Sequence, residues 1–129
     1  KLTAAFKAVR AGARLIGTNA DATFPKAEGE IPGGGSIVAS VAYATGVEAE
    51  IAGKPNKPAG RLLADRLGPI SWLIGDRPDT DGVMATAVGA QFGLVLSGVA
   101  QSADGLDPAP AAVAADLATI IAELVSARA

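Results

Sequence analysis

Apolar and polar residues switch between two periods along the chain, and the switches mark out its elements. Leu2, Ala5, Phe6, Val9 and Ala13 recur at helical spacing and predict a helix over residues 2–12, stopped by Gly12. "RLIGTN" (residues 14–19) then reads as a short apolar strand breaking at Asn19. Residues 20–35 are rich in Pro, Gly and charge and are expected to be loop. Ser36–Thr45 predicts a second helix, with Ile37, Val38, Val41 and Ala42 on one face and Gly46 as its stop. "VEAEIA" (47–52) alternates as a strand does.

The rhythm is plainer beyond Gly53. "GKPNKP" is a turn, Ala59–Leu67 a helix stopped by Gly68-Pro69, and "ISWLIG" (70–75) a buried strand. "DTDGVMATAVGA" (79–90) predicts a helix, and "FGLVL" (92–96) a second buried strand. Strand, helix and strand in so short a span imply a βαβ unit with parallel strands. Residues 97–113 are expected to be a long loop. A last helix, Asp116–Ala127, is expected to turn Leu117, Ile120, Ile121, Leu124 and Val125 inward. Elements alternating in this way make the fold class α/β.

Composition narrows the chemistry. The 129 residues are half hydrophobic but only 4% aromatic, so the core must be built from aliphatic side chains. A net charge of -2 with mixed signs provides no basic stripe, and no nucleic-acid partner is expected. No apolar run reaches the ~20 residues of a membrane span. With neither cysteine nor histidine, thiolate chemistry, ordinary zinc sites and histidine acid–base catalysis are excluded. Carboxylates, Lys, Arg, hydroxyls and a hard oxygen-ligated metal remain. Without a signal-peptide pattern, a cytoplasmic protein is the expectation.

Those groups gather in "WLIGDRPDTDGVM" (72–84). Asp79-Thr80-Asp81-Gly82-Val83 spells a nucleophile motif, but a turn precedes it, whereas a nucleophilic aspartate needs the rigid end of a buried strand. Asp79 is expected instead as a helix N-cap. Asp76 does follow such a strand, at the end where parallel sheets bind ligands. Asp81 falls in the first turn of the next helix and can converge with Asp76 on a cation such as Mg²⁺. Upstream, the turn at Gly53-Lys54-Pro55 offers an ammonium to offset these carboxylates and a bound phosphate.

With Lys54 and "GDRPDTD" in this order, the sequence resembles the haloacid dehalogenase (HAD) superfamily, in its NagD and 4-nitrophenylphosphatase/phosphoglycolate phosphatase branch. "GARLIGTNADATFP", "EGEIPGGGSIVASVAYATG" and "AGKP" extend the resemblance over residues 1 to about 100. It implies a HAD-like Rossmannoid parallel sheet, with residues 1–50 the C-terminal part of a mobile α/β cap and 51–129 the C-terminal half of the core. It implies that Lys54 steadies the nucleophile and the transferring phosphoryl group. Asp76 would ligate Mg²⁺, and Asp81 would support the metal's water shell or Lys54. Thr18, Asn19, Asp21 and Pro25 match the cap loop, in which Phe24 is expected to face the substrate.

The family's first two motifs, the nucleophilic D-x-D-G-T/V and a phosphate-holding Ser or Thr, match nothing here. They would lie before the cap. The chain is therefore expected to be part of a longer Mg²⁺-dependent phosphatase of small phosphorylated metabolites. Its partner would be the missing N-terminal half of the same protein or another chain, with a homodimer a further option. The alternative is a catalytically inactive HAD-like binding module. A nucleotide site at "PGGGS" is the weakest option, because that stretch lacks a Walker lysine.

Overall fold

A computed structural model describes residues 1–127. The chain forms two compact units, Lys1–Gly53 and Lys54–Ala129. The first unit opens with helix α1 (Leu2–Arg10), whose C-terminal turn carries Lys7 and Arg10 against the helix dipole. Strand β1 (Ile16–Gly17) pairs in parallel with β4 (Glu50–Ile51). Helix α2 (Gly34–Thr45) connects them, ending on the left-handed Gly46 at φ 70°. Val9 and Val41 are buried, whereas Leu2, Phe6 and Ile37 of the anticipated faces stay exposed.

The expected loop over 20–35 holds an antiparallel hairpin, β2 (Thr23–Lys26) and β3 (Gly29–Pro32). All eight of its residues are exposed, so it has no alternation of apolar and polar positions to betray it. Phe24 lies opposite Ile31, putting two large apolar side chains on one face. The glycines of "PGGGS" serve this passage of chain. Gly33 and Gly35 donate to the carbonyls of Ala22 and Asp21. A Cβ on Gly35 would lie 2.3 Å from the Ala20 carbonyl oxygen. That loop is packed against its own backbone and is not a phosphate cradle.

The second unit begins with α3 (Lys57–Leu67), Pro58 in its first turn and Gly68 at its end. Strands β5 (Trp72–Gly75), β6 (Gln91–Val95) and β7 (Ala112–Ala114) form a parallel sheet in that order. Along β6, Phe92 and Leu94 pack with Ala85 on one face. Val95 packs with Ala114 and Ile120 on the other. Burial on both faces explains why the strand reads as an unbroken apolar run. Gly93 is required by packing: a Cβ there would lie 2.9 Å from the Ile120 Cδ1.

Four expectations need correction here. β5 is half-buried, because it lies at the edge of the sheet. The helix expected over 79–90 is a five-residue π-helical turn, Pro78–Gly82, followed by the short helix α4 (Val83–Ala87). Within the expected 97–113 loop, Ala112 and Val113 belong to β7, whose alanines carry little strand preference. In α5 (Leu117–Ser126), Ile120 is buried and Leu124 partly so, while Leu117, Ile121 and Val125 face outward.

Candidate phosphate and metal site

The C-terminal ends of β5 and β6 position the charged residues. Ile74 packs toward Ile120, fixing β5, and the chain leaves that strand at Gly75 directly into Asp76. Arg77 then begins the π-helical turn, whose extra width returns Asp81 toward the strand it came from. The fit is close, since a Cβ on Gly75 would lie 2.1 Å from the Asp81 Oδ2. Asp81 is 3% exposed. A carboxylate so buried needs partners, and both its oxygens have them. Oδ1 accepts from the Lys54 Nζ at 2.5 Å and Oδ2 from the Arg77 backbone N–H at 3.1 Å.

Lys54 meets Asp81 from the other direction, at the start of the turn leading into α3. Its side chain is 53% exposed even though the salt bridge is formed. One end of the ammonium is tied to a buried anion, and the rest of its donors are available to solvent or an anionic ligand. Asp76 is half-buried, and its Oδ2 accepts from the Val99 N–H at 2.8 Å. Its own carbonyl receives the Ala100 N–H at 3.1 Å. The loop after β6 is therefore fastened to Asp76 at two points.

The structure thus brings Lys54 and Asp81 into direct contact and sets Asp76 at the head of the same turn. Asp79 is exposed inside that turn and caps nothing: Gly82 stands at the α4 N-cap position, with no side-chain cap bond. Asn19, Asp21 and Phe24 belong to the first unit. The Asn19 Oδ1 is buried without a hydrogen-bond partner, next to Gly34, where a Cβ would approach to 2.3 Å. The Asp21 carbonyl holds the Gly35 N–H, and Phe24 projects from the hairpin at 56% exposure.

Among the described residues, no three or more His, Cys, Asp or Glu gather as a ready-made metal cage. The donor chemistry nevertheless fits Mg²⁺, which takes one or two carboxylates and keeps waters and substrate oxygens in its remaining positions. Asp76 is the better protein ligand, because the ammonium and an N–H already occupy Asp81. A cleft of about 390 Å³ between α3 and α4, lined by Gly60, Arg61, Met84 and Val88, includes none of these residues. Sequence reasoning included Gly75 in its "GDRPDTD" motif without a role of its own and missed Gly98 and Val99. The only signal for them was a glycine at or just beyond the end of an apolar strand.

A family profile described as HAD-hydrolase-like matches residues 51–120, a stretch that includes Lys54, Asp76 and Asp81. The chain belongs to the HAD-like hydrolases. A relative from Mycobacterium tuberculosis, D-glycerol 3-phosphate phosphatase, is 40% identical over 111 residues, covering 84% of this chain and 31% of its own length. A crystal structure of glycerol phosphate phosphatase from the same organism, in complex with magnesium, superposes with a TM-score of 0.78 at 35% identity. That match covers 92% of this chain and 38% of the other. The p-nitrophenyl phosphatase of Archaeoglobus fulgidus gives a TM-score of 0.78 at 33% identity, covering 95% and 51%. This HAD-like chain thus spans about a third to a half of the lengths of these relatives.

Proposed function

We propose that these residues are part of a Mg²⁺-dependent phosphatase of small phosphate monoesters, with polyol, sugar and 4-nitrophenyl phosphates as the substrate class. The observation carrying this reading is the Lys54–Asp81 pair at the carboxyl end of a parallel sheet, one turn from Asp76. The activities named for the relatives agree with it. Residues 1–50 are assigned to a cap and 51–129 to the catalytic core. The covalent nucleophile, an aspartate, is assigned to residues outside this chain. It attacks phosphorus as the ester oxygen leaves with a proton from the second aspartate of the same D-x-D motif, and water, giving its proton back to that aspartate, then cleaves the aspartyl-phosphate.

In this scheme Lys54 donates to a phosphoryl oxygen and offsets the charge that grows there. Asp81 holds the ammonium in place through the pair. Asp76 holds the metal, and Mg²⁺ when bound neutralises the phosphate oxygens. Asn19, Asp21 and Phe24 are assigned to substrate contact; an uncharged Phe24 favours a neutral polyol phosphate over one with an acidic tail. Steady-state kinetics of the complete protein with glycerol 3-phosphate and phosphoglycolate tests the preference, and a higher kcat/KM for phosphoglycolate would refute it. Asp76→Asn tests the metal role: calorimetric Mg²⁺ binding should disappear together with turnover, and intact Mg²⁺ binding would refute that role.

A further inference from the structure

The loop that follows β6 is as closely fitted to Asp76 as Asp76 is to its own strand. Val99 donates its N–H to Oδ2 at 2.8 Å, and Ala100 donates to the Asp76 carbonyl at 3.1 Å. Gln101 fastens the loop in turn, its Nε2 donating to the Gly98 carbonyl at 3.2 Å. Gly98 lies against the carboxylate itself. A Cβ at this position would come within 2.0 Å of Oδ2, 2.5 Å of Cγ and 2.6 Å of Cβ of Asp76. Gly98 is absent from the glycines with positive φ, so its need is for space and not for backbone freedom.

We propose that Gly98 and the Val99 N–H are positioning groups for the metal: together they lock the Asp76 carboxylate in the one orientation that holds Mg²⁺. This rests on the reading of Asp76 as a Mg²⁺ ligand. The Val99 N–H takes up one lone pair of Oδ2 and stops the carboxylate from turning about χ2. Gly98 lets the amide approach that closely, since a side chain there would push the carboxylate off its position. The partners that orient a metal ligand commonly matter nearly as much as the ligand. Gly75 has the same steric relation to Asp81, which pairs with Lys54.

The test is a calorimetric Mg²⁺ titration of the complete protein and its Gly98→Ala variant, with apo melting temperatures recorded alongside. The variant should bind Mg²⁺ about 10- to 100-fold more weakly. Affinity within twofold of wild type would overturn the proposal. Should Gly98→Ala fold poorly, melting of a double-mutant cycle with Asp76→Gly decides, because that change removes all three colliding atoms. The loss caused by Gly98→Ala should largely vanish in the Asp76→Gly background, and an equal loss in both would overturn the proposal. Asp76→Asn separates the two levels. If it abolishes Mg²⁺ binding while Gly98→Ala does not weaken it, the positioning role alone fails. If Asp76→Asn leaves Mg²⁺ binding intact, both fall.

Discussion

Asp81 is the buried charged side chain among the described residues, and it is paired with Lys54. Removing Lys54 leaves a buried carboxylate oxygen unpaired, which costs about 1–3 kcal/mol. The half-exposed lysine leaves water a route to that oxygen, so the lower end of the range is expected. Lys54→Met should therefore lower the urea midpoint and reduce kcat by about 10²–10³-fold, the scale of one lost donor to a transition-state oxyanion. Adding Asp81→Asn should recover much of the stability and none of the activity, since both charges are then gone. A double variant no more stable than Lys54→Met would show that the pair is not what the stability depends on. The lysine and both aspartates were legible in the sequence because charged residues at a strand end and beside a Gly-Pro turn are conspicuous. The resemblance left two options for Asp81, the metal's water shell or Lys54, and its contact with Lys54 depends on the π-helical turn that swings it back onto Gly75.

Helix α5 shows how one side chain can set an element's boundary. Asp116 stands at its N-cap and accepts from the Thr119 N–H at 2.8 Å. That bond favours the ionised form and holds the Asp116 carboxyl below its ordinary range. A depressed pKa in the folded state means that the cap's contribution is present above the unfolded-state pKa and is lost as pH falls through the folded-state value. Asp116→Asn keeps an oxygen acceptor but cannot titrate. Its melting temperature should match wild type near pH 3 more closely than near pH 7, as followed by circular dichroism. An Asn variant with the wild-type acid dependence would show that this cap does not contribute to it. α1, α2, α3, α5, β5 and β6 could be read from periodicity and stop signals, whereas the π-helical turn before α4 and the strands β2, β3 and β7 could not. The hairpin turns on Ala27-Glu28, with none of the usual Asn-Gly signal, and Pro25 and Pro32 argue against strand. β7 has three residues, too few to display a period.

The apolar surface of the second unit is incomplete. β5 pairs with β6 on one side, and among the described residues no strand lies on its other side. α3 has no buried residue, and its Leu62 and Leu67 are more than half exposed. An open parallel edge favours pairing with another segment of chain, and the uncovered leucines favour burial against one. A strand carrying the proposed nucleophile would cover that edge and deliver its aspartate to the end where Lys54 and Asp76 stand. A polypeptide of residues 1–129 alone should therefore bind a hydrophobic dye, self-associate in light scattering and fail to turn over 4-nitrophenyl phosphate. Joining it to a segment that bears D-x-D-G-T/V should abolish dye binding and bring Mg²⁺-dependent turnover. Such a complement would convert an exposed edge into an interior strand and pair its free backbone groups. A monomeric, dye-silent product of the 129 residues that hydrolyses the ester by itself would contradict this division of the site.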